Sequence, residues 1–362
     1  MATNPSITNL EEIVASLPAK AKELFHRIFT VTATVGELSV PPSMQPWVEQ
    51  QFGSVENVSR QKIIRVTNLI TSEGALFNWL RNYRPIETVS EKSFVDEFFN
   101  DGQPDTFCCP EENTPEDTFG RIAGKYCITA SNIAKYDGLH GMVIFNEFNP
   151  LQFSQEQVID YIDTALEWAR QAQAKRPQAK YFLFVWNCLC RAGASIVHGH
   201  AQMMLTEGSH YAKIEALRRA ALGYRQKYGS NYFDDLFLAH QSVGCTLEKG
   251  GVRILASLTP FRDNEIILIA DKLDLPLKER IYEVLAFYRD KMGVVSFNLS
   301  LITPPLAATE ESWEGFPVMV KLLDRGDPNI RSSDVGGVEI YAASVVASDP
   351  IELAQQMRQH LG

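Results

Sequence analysis

The sequence lacks the features that mark membrane, secreted and nucleic-acid-binding proteins. Its longest nearly apolar run, from Tyr181 to Cys190, has ten residues, whereas a helix needs about 20 to cross a bilayer. No stretch concentrates Lys and Arg, and 34 basic against 44 acidic residues give a net charge of −10, which repels phosphate polymers and anionic lipids. The start lacks the basic and apolar segments of a secretory signal, and six cysteines among 362 residues form no disulfide framework. We therefore expect a cytoplasmic protein with reduced thiols that binds neither nucleic acid nor membranes.

What is present is an ordinary globular composition, 45% hydrophobic and 22% charged. Such a chain can bury enough apolar surface to offset the entropy of ordering.

The length suggests two domains or one large duplicated domain. Residues 10–29 have helical spacing interrupted at Pro18, which predicts a helix pair or a kinked helix. We treat residues 1–58 as an N-terminal helical appendage.

Two later stretches resemble each other. Each of Gly141–Gln171 and Glu265–Lys291 reads as an apolar strand, a turn with proline and an amphipathic helix. A second strand follows each helix, over residues 181–189 and 294–302. We interpret this as an internal duplication with halves at residues 59–230 and 231–362. Chance similarity between two strand–turn–helix units remains the alternative.

One segment carries the residues expected to do chemistry. Residues 196–205 have the length and mixed apolar character of a strand. Because alternate side chains of a strand share a face, His198, His200 and Gln202 are expected to point the same way. Upstream, Arg191 to Ser195 is a loop of small residues whose backbone N–H groups and serine hydroxyl could approach a phosphate.

Imidazole is a competent nucleophile toward phosphorus near neutral pH, because the neutral ring has one free lone pair. Glutamine at position 202 can donate to a phosphoryl oxygen without acting as a base, which favours transfer over hydrolysis. Other interpretations stay open. The two histidines could be metal ligands, with partners sought among His140, His210 and His240. Ser195 could pair with His198 as a nucleophile, although the Gly-x-Ser-x-Gly motif is absent, or both histidines could be structural.

These residues resemble the galactose-1-phosphate uridylyltransferase-like branch of the histidine-triad (HIT) superfamily, which includes ADP-glucose phosphorylase and diadenosine tetraphosphate phosphorylase. The branch carries an asparagine, a Gly-x-Ser and a His-x-His-x-Gln in this order and spacing, matched here by Asn187, Gly193, Ser195, His198, His200 and Gln202. The resemblance implies an α+β fold of two tandem half-barrel repeats of antiparallel sheet with outer helices. Only the N-terminal repeat would carry the catalytic motif. It also implies that His200 attacks the α-phosphorus and that Gln202 binds the phosphoryl group.

Weaker matches lie upstream of the motif. Arg81 and Arg84 resemble the arginines of an Arg-x-x-Arg-Pro segment that reach the nucleotide phosphates, and Asn132 lies where a nucleotide-contacting asparagine would. Cys109-Pro110 resembles the start of the family's zinc-binding Cys-Pro-x-Cys-Pro loop.

The family's zinc ligands are not all present. Its second cysteine position is Glu112 here and its later histidine position is Asn149. We therefore expect no structural zinc and no other cofactor. Ile302 stands where uridylyltransferases often have a histidine, which argues against recognition of a hexose 1-phosphate.

The resemblance implies a nucleotidyltransferase or phosphorylase that acts on a nucleoside diphosphate sugar or a dinucleoside polyphosphate. The reaction would pass through a covalent nucleotidyl-histidine, with phosphate or a sugar phosphate as the acceptor. A HIT-type nucleotide hydrolase, a non-catalytic nucleotide-binding protein and a metal-dependent hydrolase using His198 and His200 as ligands remain alternatives. The oligomeric state cannot be read from the sequence.

Overall fold

The computed structural model describes residues 5–85, 105–330 and 332–362. Helices in these residues are α1 (Leu10–Ser16), α2 (Ala19–Ile28), α3 (Gln45–Phe52), α4 (Val55–Ser59), α5 (Pro110–Asn113), α6 (Gln155–Lys175), α7 (Ala212–Tyr228), α8 (Tyr232–Ser242), α9 (Leu275–Asp290), α10 (Gly337–Tyr341) and α11 (Pro350–Leu361). Strands are β1 (Phe29–Glu37), β2 (Arg60–Asn68), β3 (Gly74–Phe77), β4 (Cys127–Ser131), β5 (His140–Phe145), β6 (Ala179–Cys188), β7 (His200–Glu207), β8 (Thr246–Lys249), β9 (Val252–Ala256), β10 (Ile266–Ala270), β11 (Phe297–Ile302), β12 (Val318–Asp324) and β13 (Ser344–Val346). None of the helices in these three stretches is both long enough and apolar enough to span a membrane.

The N-terminal segment contains the expected helix pair and also a strand. Pro18 caps the start of α2, since proline fits the first turn of a helix and cannot continue the preceding one. Strand β1 follows directly and pairs with β2 from Phe29 opposite Asn68 to Glu37 opposite Arg60. Its Val and Thr residues suit the pleated backbone. The hairpin therefore crosses residue 58, where we placed the end of the appendage, and the domain boundaries stay predictions.

A nine-stranded antiparallel sheet forms the centre of the protein and has a repeated topology. Its strand order is β4-β5-β7-β6-β11-β12-β10-β9-β8. Outward from the central pair of β6 and β11, the order β6-β7-β5-β4 in one half corresponds to β11-β12-β10-β9 in the other. The long helices occupy equivalent places in the chain: α6 connects β5 to β6, and α9 connects β10 to β11. The expected α+β fold of two tandem antiparallel repeats is confirmed.

The two faces of this sheet are covered differently. One face packs against α6, α9 and α11 in an apolar core that includes Trp168, Trp186 and Phe287. On the second repeat, the other face is covered by the N-terminal helices, α8 and a small sheet of β1, β2, β3 and β13. Ile302, at 6% exposure, is buried in this second apolar cluster. The equivalent face of the first repeat carries the histidine motif.

Candidate active site

The histidine motif lies at the start of β7, but the strand is shorter than expected. It begins at His200, so His198 lies in the preceding loop. At the end of β5, the Phe145 N–H donates to the Gly199 carbonyl, and the Gly199 N–H donates to the Phe148 carbonyl just beyond the strand, both at 2.9 Å. The His198 Nε2 atom lies 2.8 Å from the Phe145 carbonyl oxygen. The prediction that His198 shares a strand face with His200 and Gln202 is therefore wrong, because hydrogen bonds to the β5 end hold it in a loop.

His200 has the geometry of an oriented nucleophile. Its Nδ1–H donates to the His198 carbonyl oxygen at 2.8 Å, so Nε2 of the neutral ring keeps its lone pair. Burial lowers the pKa of His200, which favours this neutral form at physiological pH. The side chain is nearly buried, at 6% exposure, and the edge of the Phe107 ring packs against it at a centroid distance of 5.2 Å. The ring is thus held with its free nitrogen directed away from the His198 carbonyl.

Gln202 lies two residues along the same strand face and contacts a buried histidine on β5. Its Oε1 atom is 3.0 Å from His140 Nε2. Asn132, which follows β4, brings its Nδ2 atom to 3.4 Å from that same Nε2. The structure therefore places Asn132 and Gln202 around His140, which sequence reasoning considered only as a possible metal ligand. The feature that could have indicated this role is the position of His140 at the start of β5, diagonal to Gln202 on the neighbouring strand.

Asn187 is held by a residue of the second repeat. Asn298 Nδ2 donates to Asn187 Oδ1 at 2.7 Å and to the Ala192 carbonyl oxygen at 2.8 Å. Asn298 Oδ1 in turn accepts from Arg325 Nη1 at 2.7 Å. Since Oδ1 of Asn187 is occupied, its amide N–H groups are the ones left to meet a ligand. Sequence reasoning missed Asn298 and Arg325, because only the pairing of β6 with β11 brings them to this site.

The loop before the motif is compact and uses many of its own backbone groups. Leu189 has φ 68° and Gly193 has φ 98°, a left-handed region where glycine is favoured and leucine is strained. The N–H groups of residues 192, 193 and 194 all donate to carbonyls within the loop. These three N–H groups are therefore not available to a phosphate, contrary to expectation. Ser195 is exposed, and within the described residues its hydroxyl makes no hydrogen bond.

Arg191 fixes this loop to the second repeat. Its guanidinium donates to the carbonyl oxygens of Arg325, Ile330 and Ser332 at 2.6–3.0 Å. The position of Ser195 therefore depends on both repeats.

Arg81 and Arg84 are exposed and belong to the segment that follows β3. Partial burial lowers the pKa of Arg81, and the positive charge of Arg84 adds to the effect. Glu339 of the second repeat also acts on Arg81 electrostatically. No hydrogen bond or ion pair between described residues joins either arginine to His200 or Gln202, so their contact with a nucleotide stays a prediction.

Three potential metal donors, Asp105, Cys108 and His198, meet at the Nδ1 atom of the His198 ring. Asp105 Oδ1 lies 3.3 Å and Cys108 Sγ 3.8 Å from His198 Nδ1. Because Nε2 of His198 donates to the Phe145 carbonyl, Nδ1 of a neutral ring turns a lone pair toward the carboxylate.

Cys108, and not Cys109, therefore lies beside His198. The group fits three positions of a divalent site, and a cation there would tie the 105–108 segment to the His198 loop. Within the described residues no fourth donor completes a closed site, and the absence of structural zinc stays a prediction.

An apolar patch adjoins His200 on its own face of the sheet. It consists of the buried side chains of Phe107, Ala130, Met142 and Ile144. Ile128 and Ile196 pack against them. The site therefore combines an imidazole with a free Nε2 lone pair, side-chain amides and an apolar cluster.

Similar folds occur among solved structures, whereas no protein-family model and no curated protein sequence matches this chain. An ADP-glucose phosphorylase from Arabidopsis thaliana, solved with bound ADP-glucose, aligns with a TM-score of 0.60 and 16% identity over 80% of this chain and 96% of that one. A GalT-like protein from the same plant gives 0.60 and 16% over 81% and 98%. A uridylyltransferase gives 0.56 and 15% over 83% and 98%. The chain therefore shares its fold with this ADP-glucose phosphorylase, this GalT-like protein and this uridylyltransferase.

Proposed function

We propose that this protein is a nucleotidyltransferase or phosphorylase that works by double displacement through a nucleotidyl group carried on His200. The observation that carries the proposal is the hydrogen bond from His200 Nδ1–H to the His198 carbonyl at 2.8 Å, which fixes the tautomer with a free lone pair on Nε2. The lowered pKa of His200 supports this role. The proposed substrates are nucleoside diphosphate sugars and dinucleoside polyphosphates, in keeping with the ADP-glucose bound by one protein of the same fold.

In the first step, the lone pair of His200 Nε2 attacks the α-phosphorus of the substrate. A P–N bond forms, and the bond from this phosphorus to the bridging oxygen breaks, so the leaving phosphate ester takes the electron pair. The ring of the intermediate is cationic, because Nδ1 keeps its proton. The His198 carbonyl that accepts this N–H stabilises that charge.

In the second step, an oxygen of phosphate or of a sugar phosphate attacks the same phosphorus. The P–N bond breaks and its electron pair returns to Nε2 of His200. In this scheme the amides of Gln202 and Asn187 and the hydroxyl of Ser195 donate to phosphoryl oxygens, and Gly193 lets the loop turn. Phosphoryl transfer asks a protein mainly for positioning and charge stabilisation, and these groups can supply both.

The remaining predicted residues have roles around the nucleotide. Asn132 would contact the nucleoside, and the patch around Phe107 and Met142 would bury the base. Arg81 and Arg84 would bind the phosphates beyond the α-phosphorus, since guanidinium groups suit phosphate oxygens.

The decisive experiment is intact-protein mass spectrometry after incubation with ADP-glucose, UDP-glucose, a GDP-hexose, α-labelled ATP and diadenosine tetraphosphate in separate samples. We expect one donor to add the mass of a nucleoside monophosphate, which identifies the base. The adduct should be lost in acid and survive base, as a P–N bond does. His200→Ala should form no adduct, and with His200→Gly free imidazole should restore turnover without one.

The matched control is His26→Ala, which removes an exposed histidine of α2. It should label like the wild type. The proposal fails if no donor labels the wild type or if His200→Ala is labelled equally. If no donor labels the wild type, a non-catalytic nucleotide-binding protein becomes the better explanation.

A HIT-type hydrolase would form the same adduct but would transfer the nucleotidyl group to water. Analysis of the products formed with and without phosphate distinguishes the two activities. The alternative of a metal-dependent hydrolase, with His198 and His200 as ligands of one cation, has less support. Within the described residues, only His198 groups with other metal-donor atoms, and His200 Nδ1 is engaged by a carbonyl.

A further inference from the structure

We propose that His140 is a positioning residue that fixes the side-chain amide of Gln202 and thereby directs the nucleotidyl group to an acceptor other than water. This inference rests on the proposed function. His140 is fully buried at the start of β5, and its ring stacks on Tyr136 at a centroid distance of 4.5 Å. Both ring nitrogens have partners at hydrogen-bond distance, which gives the residue a defined role.

The partners of His140 determine where its proton is. The backbone N–H of Tyr136 donates to His140 Nδ1 at 3.0 Å. Because a backbone N–H can only donate, Nδ1 must present a lone pair, and the proton of the neutral ring is on Nε2. Burial lowers the pKa of His140, and the nearby charge of Lys135 acts in the same direction. The ring is therefore neutral and donates through Nε2.

The N–H donor of His140 fixes the orientation of the Gln202 side-chain amide, which could otherwise be reversed. His140 Nε2 lies 3.0 Å from Gln202 Oε1 and donates its proton to that oxygen. The NH2 group of Gln202 is therefore the one left for the phosphoryl group. Asn132 does not compete for this proton, since its Nδ2 atom is itself a donor and its Oδ1 accepts from the Ala134 N–H. A reversed amide would bring Oε1 toward an anionic phosphoryl oxygen and would lose the bond to His140.

The orientation also affects which acceptor attacks the adduct. Attack by water releases a proton, and a free amide oxygen beside the phosphorus can accept a hydrogen bond from the attacking water. With Oε1 turned toward His140, the N–H groups of Gln202 are the ones that face the phosphoryl group; they bind its oxygens and do not orient water for attack. His140 thus suppresses hydrolysis relative to transfer.

The test measures how a preformed adduct divides between water and phosphate. His140→Phe keeps a planar ring and removes the donor, whereas His140→Gln places an amide N–H near the position of Nε2. We expect the hydrolysed fraction to rise about tenfold relative to transfer in His140→Phe, as the loss of one hydrogen bond to a reacting group allows. His140→Gln should restore the wild-type ratio. Partial unfolding would lower both branches equally and leave the ratio unchanged.

Three results would overturn the inference. An unchanged ratio in His140→Phe, with a normal adduct on the wild type, rejects it and leaves the proposed function standing. A wild type that forms no adduct rejects both. Should His140→Phe not fold, the ¹⁵N shifts of His140 in the wild type decide: the Nε2–H tautomer supports the inference and the Nδ1–H tautomer overturns it.

Discussion

Replacing Gly199 by alanine tests whether close packing between the motif loop and β5 places His200. A Cβ atom at this position would lie 2.6 Å from Phe145 Cδ2 and 2.9 Å from the Glu147 carbonyl oxygen. Neither neighbour can easily move. The Phe145 ring stacks on Tyr161 at a centroid distance of 3.7 Å, and the second contact is backbone. The loop that carries the His198 carbonyl must shift instead.

The size of the effect follows from these contacts. Forcing one extra methyl group into a packed site costs about 1–3 kcal/mol, so Gly199→Ala should lower the free energy of unfolding by that amount. A shift of the loop by about 1 Å misplaces a reacting group enough to cost about 100-fold in rate. The matched control is Gly223→Ala, at an exposed position of helix α7, where a new Cβ meets nothing within 4 Å. There alanine should stabilise the protein by about 0.5–1 kcal/mol and leave the rate unchanged.

Urea unfolding measures the stability of both variants, and quenched mass spectrometry measures the rate at which the nucleotidyl adduct forms. A Gly199→Ala protein with wild-type stability would show that the loop accommodates the methyl group. A destabilised Gly199→Ala protein that still forms the adduct at the wild-type rate would show that this packing does not place His200. Either result refutes the reasoning.

Three further predictions concern the same site. Asn298→Asp keeps an oxygen for Arg325 but removes the N–H donor that serves Asn187 and Ala192. It should cost about 1–3 kcal/mol in urea unfolding, and an unchanged midpoint would contradict this. Because the pKa of His200 is lowered from 6.5 and protonation removes the attacking lone pair, adduct formation should fall with decreasing pH about a midpoint below 6.5. A midpoint above that value in a pH series would show that another group controls the step. After dialysis against millimolar EDTA, elemental analysis should find no stoichiometric zinc and the melting temperature should not change. Zinc retained by the wild type and lost in Cys108→Ser would overturn that expectation.

Much of the architecture could be predicted because the strands and helices of each repeat follow from local sequence patterns. A strand, a turn and an amphipathic helix show in the sequence over about 30 residues, and both units are present as β5 with α6 and β10 with α9. The start of β7 was predicted too early, since apolar alternation over residues 196–205 does not reveal the close approach of Gly199 to Phe145.

The partners of the site residues could not be predicted in the same way. His140, Asn298 and Arg325 lie 62, 96 and 123 residues from Gln202 in the sequence, and no spacing rule relates them. Two of them come from the second repeat. They reach the site only because β6 pairs with β11 in one continuous sheet.

The sequence by itself determined the motif on which the proposed chemistry depends: a histidine followed at the next same-face position by a glutamine, on a strand preceded by a loop of small residues. Only the tertiary structure decided which nitrogen of His200 is free, which way the Gln202 amide points and which repeat the N-terminal segment covers. These depend on hydrogen bonds and packing between residues far apart in the chain. Such contacts form when the sheet brings the two repeats together and the N-terminal segment covers one of them.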